Sequence, residues 1–268
     1  IYLLQNRSLR VIPIVNPDGY YYNQVTYPNG GGMWRKNRKF ISDNVYGVDI
    51  NRNYGPYDFW NASNNGSSIN PTQETYRGSE PFSEPETKAI ANLFNNCKID
   101  LALNFHTYGN LIIYPWSALT YETEDSLMFR HISNLFGSKN LYSKGRNFET
   151  IGYSTRGDTD DWMYYSDNNK SKTLSFTIEV GNNADGFWPI QDRIIGLCYD
   201  TFFMNLQFLW SAGANIRLTE LFAENQINYN TTSLKIKLQN IGLCDEDKEI
   251  VCKINPFNND FIFDNSEI

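Results

Sequence analysis

Five short stretches of this 268-residue chain hold the side chains that could do chemistry. "NFHTY" puts His106, one of only two histidines, at the end of an apolar run. "FTIEVG" ends a strand on Glu179, where burial would make an unpaired carboxylate costly. "MWRKNR" sets Arg35 beside an aromatic ring, and "VDINRNYG" embeds Asn51 and Arg52 behind an apolar start. "GYSTRGDTDDW" supplies Tyr153 in a glycine-flanked loop, together with Asp158 and Asp160. Each residue alone has an ordinary reading: a structural imidazole, salt-bridge arginines, a carboxylate answering one of them, aspartates capping the helix that Trp162 begins. Together they are the parts of metal-assisted hydrolysis: an imidazole ligand, a carboxylate base, an electrophilic arginine, and an Arg/Asn pair suited to gripping a carboxylate.

Those residues need elements to position them. "LRVIPIV" (9–15) reads as a buried strand blemished by Pro13, and "NPDG" (16–19) as the turn after it. Residues 55–75, rich in Asn, Ser, Gly and Pro, read as a long loop. Ser83 followed by Glu86 is a capping-box signature that opens a helix to about Cys97. A strand then leads to His106, and "LIIY" (111–114) forms a second. Leu127, Met128, Ile132, Leu135 and Phe136 mark a helical stripe ending at Gly137, which leaves His131 a partly exposed helix residue. "LSFTIEV" (174–180) is a further strand, and about 190–211 a long amphipathic helix. Strands alternate with helices up to that point and follow one another after it. The expected organisation is an α/β body over 1–212, with a mixed, mostly parallel twisted sheet flanked by helices, and a small all-β, immunoglobulin-like module over 213–268.

Bulk properties narrow the function. A net charge of −7 disfavours a nucleic-acid partner. The longest apolar candidate, "IIGLCYDTFFMNLQFLW", is broken by Asp200, Asn205 and Gln207, so no membrane span is expected. The four cysteines show no C-x-x-C spacing; Cys244 and Cys252 can pair across a hairpin or remain free thiols. Asn-x-Ser/Thr sites at Asn6, Asn61, Asn65, Asn169 and Asn230 lean towards a secreted, extracellular protein. Ile1 is no initiator methionine, and the expectation is a monomer that begins part-way through a longer protein.

From residue 9 to 211 the chain resembles the zinc metallocarboxypeptidases of the carboxypeptidase A/B type. The segments "NPDG", "WRKNR", "VDINRN", "ETYRG…PFSEPET", "NFHTYGNLIIYP", "GYSTRGDTDDW" and "FTIEVG" occur in that family's order, a far more specific signal than any one motif. The resemblance implies zinc as cofactor, peptide and protein C-termini as substrate, and removal of the C-terminal residue by activated water. It makes His106 the third zinc ligand, Glu179 the general base and Arg35 the group that polarises the scissile carbonyl. Asn51 and Arg52 would bind the free terminal carboxylate, and Tyr153 would close over the substrate. It also implies cis peptides at Thr107–Tyr108 and Pro115–Trp116. Asp160 stands where B-type members carry an acid at the floor of the side-chain pocket, which would favour C-terminal Lys or Arg; helix capping is the competing reading of this residue.

The family's first two ligands come as a His-x-x-Glu segment upstream of the "NPDG" turn, and this chain holds no His-x-x-Glu. The first strands of the sheet would be missing with it, and the other ligands are expected upstream of Ile1. Structural zinc gains roughly 10–16 kcal/mol from four ligands, so one imidazole gives only about millimolar affinity. The 268 residues alone are therefore expected neither to retain zinc nor to hydrolyse peptides. The alternative is a non-catalytic module that binds peptide C-termini after loss of its metal; persistence of Glu179 and Arg35, which only chemistry needs, favours the enzyme.

Overall fold

The computed structural model describes residues 2–225 and 232–244. The chain falls into two compact units, Ile1–Leu209 and Trp210–Ile268. In the first, helices α1 (Tyr2–Asn6) and α2 (Pro17–Thr26) precede a small hairpin of β1 (Phe40–Ser42) and β2 (Val45–Tyr46). A 3-10 turn (Ile50–Arg52), α3 (Tyr57–Trp60) and α4 (Pro85–Asn96) follow, then β3 (Leu101–His106), β4 (Leu111–Ile113), α5 (Ser126–Phe136) and β5 (Ser143–Gly145). Short helices α6 (Asn147–Thr150) and α7 (Thr159–Tyr164), strand β6 (Leu174–Glu179) and the long α8 (Gln191–Ser211) complete the order.

The main sheet has the order β3-β6-β4-β5. β3 runs parallel to β6 and β4 parallel to β5, while β4 is antiparallel to β6, so the sheet is mixed and mostly parallel. β6 is one of the two inner strands and is buried from Leu174 to Ile178, with Leu174, Phe176 and Ile178 alternating with Ser175, Thr177 and Glu179. Side chains alternate along it. Phe176 and Ile178 turn to the face covered by α5, where Phe176 meets Phe129 and Phe136 at ring distances of 5.2 and 5.1 Å. Ser175 turns to the opposite face, where its hydroxyl reaches Asp160 on α7. On that face Tyr54, Ile90, Phe94, Trp162 and Met163 form a second apolar cluster.

Several local expectations change. "LRVIPIV" is not a strand: residues 9–15 pair with no described strand, and Leu9, Val11, Ile12, Ile14 and Val15 are exposed. β-branched composition makes an extended segment, but only a partner makes it a strand. "NPDG" is the start of α2 rather than a turn. Asn16 is its N-cap, accepting from Gly19 N–H at 3.0 Å, and Pro17 occupies the first turn, where no N–H is needed. The Ser83–Glu86 capping box does not form either. Glu84 is the cap residue without a side-chain cap bond, and Ser83 Oγ donates to Glu84 Oε1 instead. α5 ends at Gly137, which supplies its C-cap, with His131 half-buried on it. Both implied non-proline cis peptides, Thr107–Tyr108 and Pro115–Trp116, are present, and a third cis bond lies at Gly55–Pro56.

In the second unit β7 (Ile216–Asn225) and β8 (Thr232–Asn240) form an antiparallel pair. "KEIVCKI" and Cys252 lie outside the described residues, and with them the suggested partner of Cys244. No helix among the described residues is long and apolar enough to cross a membrane.

Phe176 is fully buried between the rings of α5 and the sheet. Phe176→Ala is expected to cost about 3–5 kcal/mol in urea unfolding with an unchanged slope; a loss below about 1 kcal/mol would show that this layer is not the core.

Candidate active site

The parallel register of β3 and β6 pairs His106 with Glu179 at the carboxyl ends of both strands. Strand ends of this kind are where open α/β sheets present functional groups to a crevice. The same parity brings Asn104 to the face of Ser175, and both donate to Asp160 Oδ1, at 2.8 and 2.6 Å. Beyond Glu179 the chain stays tied to β3 through Val180 N–H, which donates to His106 O at 2.8 Å.

Three titratable groups here are far from their ordinary values. Burial lowers the His106 imidazole to about 4, helped by the positive charges of Arg35 and Arg52, so the ring is neutral at neutral pH. Burial raises Glu179 to about 7, against the pull of Arg35 and Arg52. Glu179 Oε2 is buried and has no hydrogen-bond partner among the described residues. Burial also raises Asp160 to about 7, reinforced by the charge of Asp158 and offset by Ser175, Thr177 and Asn104.

Arg35 and Arg52 enter from the neighbouring loops. The Arg35 guanidinium pairs with buried Asp49 at 2.8 Å, an interaction that favours its charged form, and Glu179 adds to this. Asp49 has a second task as the cap of the 3-10 turn, accepting from Asn51 N–H at 3.1 Å. That turn presents the Asn51–Arg52 pair. Arg52 is almost fully buried; its Nε donates to Gly66 O at 2.7 Å and its Nη1 to Asn51 O at 2.6 Å. Nη2 makes no bond to the described residues. Asn51 Oδ1 accepts from both the N–H and the hydroxyl of Thr159, at 2.9 and 2.7 Å. Two donors on one oxygen fix the amide orientation, so the Nδ2 donors point away from Thr159, available to an acceptor. Gly157 is required where this loop touches the turn: its φ is +68°, and a Cβ there would lie 2.5 Å from Arg52 O.

Tyr153 is exposed on the loop after Gly152, itself at φ +81°. Asp158 settles the capping question: it is the N-cap of α7, accepting from Asp161 N–H at 2.9 Å and from the Thr155 hydroxyl. Asp160 caps nothing and faces the sheet. Asp161 accepts from Ser117 and Ala118 N–H, both at 2.8 Å, and anchors the segment after Trp116.

Residues 2–204 match the model of the zinc carboxypeptidase family. The chain belongs to that family. It is 32% identical over 227 residues to human carboxypeptidase B2, covering 80% of this chain and 50% of that protein. It is 32% identical over 211 residues to rat carboxypeptidase B, covering 74% and 47%. The chain thus spans about half the length of the curated relatives it matches. Among solved structures, bovine thrombin-activatable fibrinolysis inhibitor in complex with tick carboxypeptidase inhibitor aligns with a TM-score of 0.58 and 28% identity, covering 74% of this chain and 66% of that one. A carboxypeptidase A from Helicoverpa armigera aligns at 0.55 and 26%, covering 73% and 49%.

The donors described in this zinc carboxypeptidase chain do not by themselves fit the family's metal. Catalytic zinc takes three protein ligands, and no group of three or more His, Cys, Asp or Glu placed to hold an ion occurs among the described residues. Sequence reading had passed over Asp49, Asn104, Thr159 and Ser175. Asp49 carried a signal, since an aspartate two residues ahead of a polar turn often accepts from its backbone. Asn104 and Ser175 carried one too, in the two-residue alternation that puts them on the faces of His106 and Glu179.

With Glu179 raised, the folded chain keeps a proton that the unfolded chain releases near pH 4.5. Its contribution to stability is full below that pH and is lost as pH rises through about 7. In carbon-13 spectra the Glu179 carboxyl is expected to titrate near 7 in the chain as it stands. Arg35→Gln should move that midpoint upwards; an unchanged midpoint would mean that Arg35 does not reach Glu179.

Proposed function

We propose that the chain is the substrate-gripping and proton-handling part of a metallocarboxypeptidase that removes residues from peptide C-termini. The observation that carries this is the fixed Asn51–Arg52 pair: a buried guanidinium whose Nη2 is unused, beside an amide whose NH2 end is left open. Donors so arranged suit a carboxylate better than any neutral group. Only a chain end brings an α-carboxylate to that point.

In this reading Arg52 and Asn51 hold the terminal carboxylate, which sets the last amide of the substrate beside Glu179 and Arg35. Arg35 stabilises charge developing on the carbonyl oxygen, worth on the order of 3 kcal/mol for one such donor. Glu179, with a carboxyl poised near neutrality, takes a proton from water at Oε2 as the water oxygen adds to the carbonyl carbon, and returns it to the amine nitrogen as the C–N bond breaks. Tyr153, exposed on a glycine-hinged loop, is free to swing over the bound end. Asp160 lies under the sheet face and gives the side-chain pocket an acid, hence a preference for Lys or Arg. Zinc enters through family membership, with His106 as one ligand and the others supplied by residues outside this sequence. The sequon asparagines Asn6, Asn61, Asn65 and Asn169 are all exposed, which supports work outside the cell.

A peptide ending in arginine with a free carboxylate should bind the chain in calorimetric titration, and its C-terminal amide should not; Arg52→Ala should abolish the difference. Equal affinity for acid and amide would end this reading. Because Asp160 is largely protonated below about pH 7, preference for Arg over Phe at the peptide end should grow between pH 6 and 8. A flat or reversed preference would remove Asp160 from the pocket. After gel filtration the 268-residue chain should carry well under one zinc and release no C-terminal residue. Stoichiometric zinc surviving that step would place a complete ligand set within it.

A further inference from the structure

We propose that Arg156 is a positioning residue for the Arg52 guanidinium, acting through the loop 61–67. The inference rests on Arg52 as the carboxylate grip and concerns what aims it. Arg52 Nε is held by one acceptor, the carbonyl of Gly66. That carbonyl belongs to a loop without regular structure, so something else must fix it. Ala118 and the Ser68–Tyr76 bridge hold its flanks, and the remaining ties come from the segment that carries Tyr153.

Arg156 spends its whole fork on this loop. Nε donates to Ser67 Oγ at 2.7 Å, Nη2 to Ser67 O at 2.8 Å and Nη1 to Ala62 O at 2.5 Å. Both sides of Gly66 are therefore tied to one planar group. Asn64 adds a second clamp, donating to Thr155 O at 3.3 Å and accepting from Gly66 N–H at 2.9 Å. The two backbones touch at Gly66, where a Cβ would lie 2.5 Å from Thr155 Cα and carbonyl carbon. Gly66 must be glycine for the loop to sit this close, and Arg156 must be a fork to keep it there.

No carboxylate among the described residues pairs with Arg156; every acceptor it uses is neutral. Its shape, rather than its charge, accounts for its contacts. A lysine would keep the charge but lose the planar, multidentate geometry. The same segment also fixes Asn51 through Thr159, so both halves of the grip are aimed from one stretch of chain.

The test uses the 268-residue chain with acetylated arginine-ended peptides as free acid and as amide, and the Arg52 Nε–H proton signal as a second readout. In Arg156→Lys the acid-over-amide preference should fall roughly tenfold, since displacements near 1 Å can cost up to a hundredfold. The Arg52 Nε–H should lose its protection from solvent exchange in the same variant. Ser67→Ala, which removes one acceptor and leaves the backbone intact, should lose about threefold. Retained preference and protection in Arg156→Lys would overturn the proposal, as would a lowered melting temperature with both readouts unchanged. A normal Arg156→Lys beside a defective Arg156→Ala would make the charge the agent and overturn it too. If the wild-type chain fails to tell acid from amide, the grip reading falls, and the Nε–H signal still decides whether Arg156 places Arg52.

Discussion

The register between β3 and β6 is the constraint on which the rest depends. Six residues of each strand pair in parallel, from Leu101 with Leu174 to His106 with Glu179. A slip of one residue would turn every side chain of β6 to the other face. Phe176 and Ile178 would then enter the crevice, and Ser175, Thr177 and Glu179 would be driven into the aromatic layer under α5. Burial of three carboxyl and hydroxyl groups among Phe129, Phe136 and Tyr114 would be prohibitive. The packing of one face thus fixes the chemistry of the other.

Around that pair the electrostatics are a set of opposed terms. Desolvation pushes Glu179 and Asp160 towards the neutral form and His106 away from the charged one. Two arginines act against this at Glu179 and with it at His106. A neutral imidazole beside a carboxyl near its midpoint is the result, and it needs no group of unusual chemistry. Asp49 keeps the arrangement from flying apart, since it answers Arg35 and caps the turn that carries Asn51 and Arg52.

Much of this was legible in the sequence where the signal was long or periodic. The segments ending on His106 and Glu179 read as strands because apolar residues recur through both six-residue stretches and no helical stripe fits them. α5 read as a helix because its apolar stripe repeated and a glycine followed. The failures came where one signal serves two structures. Asn16-Pro17-Asp18-Gly19 suits a turn or a helix start, and the tertiary partners of Asn16 Nδ2, the carbonyls of Arg35 and Lys36 at 3.2 and 3.0 Å, lie outside the local sequence. Residues 9–15 had strand composition without a partner, which composition does not report. Asp158 and Asp160 both looked like caps; the donors that separate them, Asn104 and Ser175, lie on strands far off in sequence. The loops joined by Arg156 are some ninety residues apart, beyond any local pattern.

Arg35 and Arg52 both lend positive charge to His106 and Glu179 in a chain of net charge −7. An anionic molecule with one recessed cationic spot steers approaching ligands by orientation as much as by attraction. If peptide ends bind as proposed above, a peptide whose body is basic and whose end is anionic would be drawn to the surface by its body and turned end-first by the spot. An acidic peptide would be held off before its end could be inspected. Such sorting happens at the encounter stage, ahead of any pocket, and would fade as ionic strength shortens the reach of the field.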